Sequence, residues 1–339
     1  MSRYPLYLRA PRRLLMPVLM AGSMFAATDS ARGDSLGEAG RCHELSRESA
    51  VEEIGGAARR SDGLRFFAES GARQTLARGR LEDMTLQLEV ADAIYREVLG
   101  LSPPLTSPRY RRAGFIAVLL RDDAGRGGQA FDEVVRSDDV RGCHIRMALG
   151  GRVVPAANTT PAHELFHLYL NAHTMFKQGW LQEGLARWSE GLFHGELPVA
   201  SSLPADSAAL DRLLRKRYGA APFWQRLLVL LDPQGERAVP DALRAKRYRD
   251  GSPVVSAGRL YRGDFLAHFL ATLGDAGDRL AARQQWSVHD WAEREQQSPH
   301  HDRAILDALH RAISTYESPA PRPEELRVFL QLIAPERPS

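Results

Sequence analysis

The chain has 339 residues, ample for a sizeable core and two lobes, with 44% hydrophobic residues, 45 basic and 42 acidic side chains, and two cysteines. Arg3, Arg9, Arg12 and Arg13 stand in residues 1–27 without an acid, so that stretch carries +4 against a formal net charge of +3 and leaves −1 on the rest. So even a balance argues against nucleic acid as a partner.

Residues 1–27 read as a secretory signal peptide: a basic start, an apolar run over 14–27, and small residues at its end. The run is too short to span a bilayer comfortably, so no stable membrane span is expected after cleavage. The expected location is exported, either periplasmic in a bacterial envelope or secreted. Residues 28–80, rich in Gly, Ser, Arg and Glu, read as a partly ordered extension with a short helical stretch near 63–77. Cys42 and Cys143 both fall in the exported part. In an oxidising compartment they can form one disulfide closing a long loop; the alternative is two buried thiols.

From Glu82 the pattern sharpens. Met84, Leu88, Ala91, Tyr95 and Val98 mark one face of an amphipathic helix that Gly100 is placed to end. Ser102-Pro103-Pro104 forces a break. The apolar runs 115–120 and 144–149 read as strands, and 122–128 reads as a loop between them.

Next come Asn158, Thr159 and Thr160, which offer N-cap side chains, and Pro161, which suits a first helical turn. They introduce His163-Glu164-Leu165-Phe166-His167. On a helix this spacing puts both imidazoles on one face, where they can share a metal, with Glu164 placed to meet a metal-bound water. Glu183 follows in Trp180-Leu181-Gln182-Glu183-Gly184-Leu185-Ala186, on a second helix that Gly195 and Pro198 stop. A short loop and antiparallel packing would turn Glu183 towards the histidines. Two imidazoles and a carboxylate would then surround one metal, with a fourth position open for chemistry. Glu190 lies on the same face as Glu183 and reads either as a partner orienting a ligand histidine or as a solvated acid. His173 reads as a positive charge at the helix C-terminus.

The two segments together resemble the gluzincin metallopeptidases, most closely the peptidase MA-like group; the M1 aminopeptidases have a similar second helix. The upstream order of helix, strands and metal helix extends the resemblance. It implies an α+β zincin fold, with a catalytic lobe over 81–200 whose small mixed sheet lies over the active-site helix. A mainly helical lobe over 201–335 would complete the cleft. It also implies one Zn2+ per chain held by His163, His167 and Glu183, with Glu164 as general base, hydrolysing a peptide or protein substrate. By the same resemblance the 144–149 strand is the sheet edge above the cleft, where an extended peptide docks by strand addition. That stretch lacks the Gly-x-Met-Glu-Asn signature that holds a free amine, so an endopeptidase is expected rather than an aminopeptidase.

After Pro204 helices are predicted at 205–218, 222–232, 239–248, 257–273, 279–296, 301–316 and 323–333. The helix starting near Leu260 is similar to one that crosses the cleft in peptidase MA-like proteins, which makes Tyr261 the implied oxyanion donor and His268 a second candidate. His300 and His301 read as an exposed loop or cap, and Trp188, Trp224, Trp286 and Trp291 as core. Two other functions stay open at this level: a binding or assembly module that keeps the zincin fold without proteolysis, and an envelope hydrolase of a non-protein amide. Residues 28–80 also stay open as an inhibitory pro-segment.

Overall fold

A computed structural model describes residues 42–45, 51–54, 63–75, 78–122, 125, 127–194, 199–233, 236–261, 263–318 and 321–335. The signal segment 1–27 lies outside them, as does much of 28–80. Along the chain come β1 (His43–Glu44), β2 (Val51–Ile54), β3 (Leu64–Glu69), α1 (Ser70–Thr75), α2 (Arg78–Ala93), β4 (Ile116–Arg121), β5 (Gly128–Ala130), β6 (Val135–Arg136) and β7 (Ile145–Gly150). Then follow α3 (Thr160–His173), α4 (Gly179–His194), α5 (Ser207–Leu214), α6 (Ala221–Leu231), β8 (Glu236–Ala238), α7 (Asp241–Arg244), β9 (Arg259–Tyr261), α8 (Asp264–Gln284), α9 (Glu293–Gln296), α10 (Asp302–Thr315) and α11 (Glu324–Leu332). The class is α+β, with a mixed sheet in the N-terminal part and helices dominating the rest.

The main sheet has the order β2-β3-β4-β7-β5. Strands β3, β4 and β7 are parallel, while β2 and β5 run antiparallel at the two edges. Interior parallel strands are covered on both faces and so read as unbroken apolar runs. This is why Ile116–Leu120 and the whole of β7 are buried. One face joins the main core with α2 and α3, and the other carries a smaller cluster of Phe67, Phe115, Ala117, Leu119, Val140 and Ala148.

The predicted stripe on α2 is borne out. Met84, Leu88, Ala91, Tyr95 and Val98 are buried, the last two in a π-helical turn over Ile94–Val98, and Gly100 at φ +69° ends the segment. Three expectations are corrected. The 64–69 stretch is a strand, not a helix: β3 pairs with β4 on one side and β2 on the other, which buries Phe66 and Phe67 on opposite faces. Strand β7 is not an edge, because β5 pairs along its outer side; the predicted 122–128 loop ends in the true edge strand. Tyr261 stands on β9, paired with β8, and the helix after it begins at Asp264. Farther on, α8 runs unbroken across the joint expected between 273 and 279. Gly274 there is a contact glycine, since a Cβ would lie 2.8 Å from the His173 carbonyl oxygen at the end of α3.

Cys42 and Cys143 form a disulfide that ties the chain beside β1 to the entrance of β7. Among the described residues no helix is long and apolar enough to cross a membrane.

Candidate metal centre

Helix α3 is buried over most of its length, Pro161–Phe166 and Leu168–Asn171 being enclosed. Its N-terminus is held by side chains. Asn158 Oδ1 accepts from the Thr160 amide at 2.6 Å, and the buried Gln87 of α2 accepts from the Ala162 amide at 3.3 Å while donating to the Pro155 carbonyl at 3.0 Å. Tyr95 donates to the Ala162 carbonyl at 3.0 Å. The bonds to the Thr160 and Ala162 amides satisfy donors that a buried helix N-terminus would otherwise leave stranded. Thr159 occupies the N-cap position, but its side chain makes no capping bond; its hydroxyl donates instead to Glu190 Oε2 at 3.0 Å.

A loop over 174–178 turns the chain into α4, which packs along α3 and brings Glu183 to the histidines. His163 Nε2 and His167 Nε2 are 3.0 Å apart, and Glu183 Oε2 lies 3.4 Å from the first and 3.5 Å from the second. These three residues form a group that could bind a metal ion. Its spacing fits one: donor atoms bound to a common zinc at about 2.0–2.1 Å in tetrahedral geometry stand about 3.4 Å from each other. Glu183 Oε2 supports the fit, being buried without a hydrogen-bond partner among the described residues.

Outer partners turn the lone pairs inward. His163 Nδ1 lies 2.6 Å from Glu190 Oε1, which can only accept, so Nδ1 carries the proton. His167 Nδ1 lies 3.3 Å from Gln182 Oε1, and Gln182 Nε2 donates to the Phe176 carbonyl at 3.0 Å, which fixes the amide orientation. Both rings therefore present Nε2 to the centre, as second partners of ligand histidines do. Of the two readings of Glu190, the structure has the acid bonded to His163; Arg187 pairs with its other oxygen. Arg217 Nη2 donates to Glu183 Oε1 at 2.7 Å, so Oε2 is the oxygen left facing the histidines.

The electrostatics agree. Burial opposes charge on His163, but the carboxylates of Glu183 and Glu190 on either side of its ring outweigh it and lift its pKa to about 9. Burial likewise opposes charge on Glu183, yet the two histidines beside it and the Arg217 hydrogen bond hold it well below the usual carboxylate range. Glu164 goes the other way: burial raises its pKa, only partly offset by the two histidines. A carboxyl raised in this way is suited to take up and return a proton.

Glu164 faces a cleft of about 400 Å³ lined by Gly128, Asn158, Thr160, His163 and Tyr218. The edge strand passes directly over it. A Cβ on Gly128 would come within 2.6 Å of Glu164 Cγ, so only glycine allows the approach. Tyr218 is a residue that sequence reasoning missed. It opens a 3-10 turn over Tyr218–Ala220, its ring centroid is 5.7 Å from that of His163, and burial, then the Glu183 charge, lift its pKa to about 12. Gly184 of the second motif seats that turn, since a Cβ there would lie 2.8 Å from the Ala220 Cβ. No local pattern marks Tyr218, whereas Gln182 was adjacent to a marked residue and Gly128 had no signal of its own.

Of the other candidates, the Tyr261 side chain lies outside the described set. His268 bonds Thr315 at 2.9 Å on a distant helix face. His173 does not act as a helix charge, because burial lowers its pKa and favours the neutral ring. His301 is buried rather than exposed, packed against Phe176, Trp286 and Trp291. Trp180 of the motif is structural: it stacks on Trp224 at 5.7 Å and donates to Asp302 at 2.9 Å. No protein-family model, curated protein or solved structure matches this chain.

Proposed function

We propose that the protein is a zinc-dependent metallopeptidase of gluzincin type, exported and acting as an endopeptidase. The observation that carries this reading is the inward-facing triangle of His163 Nε2, His167 Nε2 and Glu183 Oε2, each backed by a partner that leaves the central atom free. A zinc ion there would supply Lewis acidity to the substrate carbonyl and to a water. The chain's own residues do the rest. Glu164, buried beside the triangle with a raised pKa, takes the proton of the attacking water and hands it to the leaving nitrogen. On its outer side strand β5 pairs with no other described strand, and an extended peptide can add there by main-chain hydrogen bonds. Tyr218, which lines the cleft with its ring beside that of His163, takes the role the resemblance assigns to Tyr261. The Cys42–Cys143 disulfide supports an oxidising, extracytoplasmic location.

The test combines metal content and turnover. Wild type should hold about one zinc per chain and His163→Ala almost none. Glu164→Gln should keep its metal and lose peptide hydrolysis, because the amide retains the shape but cannot accept the proton. Normal hydrolysis by that variant would overturn the mechanism, and a wild-type protein that takes up no zinc would overturn the enzyme reading.

A further inference from the structure

Strand β5 turns alternate main-chain groups towards β7 and away from it. The Gly150 amide donates to the Gly127 carbonyl at 2.9 Å, and the Phe131 amide to the Arg146 carbonyl at 3.1 Å. With Gln129 opposite Ala148 between them, residues 127, 129 and 131 direct their N–H and C=O at β7. Gly128 and Ala130 direct theirs outward, to the side where a peptide would add. A Cβ on Gly128 would meet Glu164 Cγ at 2.6 Å and Thr160 Cγ2 at 2.7 Å, so this position faces α3. Directly opposed residues of neighbouring strands place their side chains on the same face of a sheet. The substrate residue opposite Gly128 therefore sends its side chain into the cleft beside the start of α3, whichever way the peptide runs. Glu164 lies against the same spot, so that residue is next to the bond that is cut or one removed from it.

What the side chain meets there is polar. Asn158 and Thr160 wall the cleft at the start of α3, Arg187 and Glu190 of α4 face them, and Tyr218 adds its ring and hydroxyl. Among the described lining residues the one purely apolar side chain is the methyl of Ala157, and none is Val, Leu, Ile, Met or Phe. Ligand pockets are lined mainly by hydrophobic and aromatic side chains, so this cleft departs from the usual composition. Arg187 gives Nη1 to Glu190 and keeps its side chain 53% exposed, and Tyr218 is 52% exposed. Both stay hydrated until a ligand covers them. A leucine or phenylalanine side chain laid on these walls would strip their water and return no hydrogen bond. A hydroxyl or amide replaces the water it displaces, and a hydrogen or methyl leaves most of it in place. Size is not the filter, since about 400 Å³ accommodates a large side chain. Arg187 stands against Glu164 and Glu190, so neither sign of charge is favoured.

We propose that the cleft selects a small or uncharged polar residue (Gly, Ala, Ser, Thr or Asn) at the substrate position opposite Gly128, with Asn158, Thr160 and Arg187 as the specificity-determining side chains. This substrate class deepens the peptidase reading and rests on it.

It is tested with quenched fluorescent peptides, capped at both ends, carrying Ser, Asn, Leu or Phe at each of the two positions on either side of the cut in an otherwise Gly-Ala sequence. The cleavage site is read by mass spectrometry. At one position Ser or Asn should raise kcat/KM about tenfold over Leu and Phe. Thr160→Val and Arg187→Leu each exchange a polar wall for an apolar one. Loaded with zinc, they should lower that ratio about threefold or more, with zinc content and melting temperature near wild type. If no position favours Ser or Asn over Leu and Phe, or if the ratio is unchanged in both variants, the proposal is overturned. A second arm needs no turnover. Fluorescently labelled Ser and Leu peptides of the same series are titrated into Glu164→Gln with zinc present and followed by anisotropy. The Ser peptide should bind about tenfold more tightly. If wild type cleaves no peptide, the peptidase reading fails by itself and this titration decides the cleft: no binding, equal binding or tighter binding of the Leu peptide overturns the selection.

Discussion

Glu190 sits behind the candidate metal ligands, and replacing it measures what that position contributes. Its Oε1 is 2.6 Å from His163 Nδ1, and its Oε2 takes the Thr159 hydroxyl at 3.0 Å. Glu190→Gln keeps the size and an oxygen for the Nδ1 proton but loses the charge. Partners of ligand histidines are worth about 10–100-fold in metal affinity, and the amide should fall at the lower end, about tenfold or ~1.4 kcal/mol. Glu190→Ala strands both the Nδ1 proton and a buried hydroxyl. It should weaken zinc about 100-fold, ~2.7 kcal/mol, and lower the stability of the metal-free protein by about 1–3 kcal/mol. Proton competition adds a signature. With a His163 pKa of about 9, the metal must displace a proton at pH 7. Glu190→Ala lowers that pKa and relieves part of the competition, so its deficit should be larger at pH 9 than at pH 7. Zinc competition against a chromophoric chelator at both pH values reads this directly. Equal affinity of Glu190→Ala and wild type at pH 9 would refute the reasoning.

Gly128→Ala puts a methyl within 2.6 Å of Glu164 Cγ, so β5 or the carboxylate must shift; peptide turnover should fall well below wild type at unchanged zinc content, with about 1–3 kcal/mol lost by chemical denaturation. Asp132, whose folded pKa is lowered to about 2 from 3.8, contributes stability that is fully present above pH 4 and lost as pH falls through 2. Asp132→Asn should thus be clearly less stable than wild type at pH 7, with the gap closing by about 2 kcal/mol between pH 4 and pH 2 in urea titrations. The Cys42–Cys143 link closes a loop with a sequence separation of 101, and the paired Cys→Ser variant should lose about 4–5 kcal/mol on chain-entropy grounds, read as a drop in melting temperature.

Much of the centre was legible in the sequence because it is written in helical spacing. His163 and His167 are one turn apart, and a helix of that composition can only be buried, so their geometry follows from local structure. The stripe on α2 and the unbroken runs of β4 and β7 were legible for the same reason. Strand β3 was not, because apolar residues at 64, 66, 67 and 68 fit a helix face as well as a strand buried on both sides, and only pairing with β4 decides. Strand β5 reads Gly-Gln-Ala and has no apolar signal at all; its place comes from the ladder offered by β7. Tyr218, Arg217 and Gln87 reach the centre across distant chain, and their roles exist only once the helices have packed.

All three candidate ligands belong to one helical hairpin, within residues 163–183. Closing so short a loop costs little entropy, so the unfolded chain can gather the same three side chains around an ion at modest expense. Whatever affinity the loose hairpin keeps is subtracted from the stability that metal confers on the fold. Residues outside the hairpin add to the surplus: Gln87 at the start of α3 and Arg217 against Glu183. An ion bound there would report less on whether the chain has folded than on how firmly the rest of it grips that hairpin.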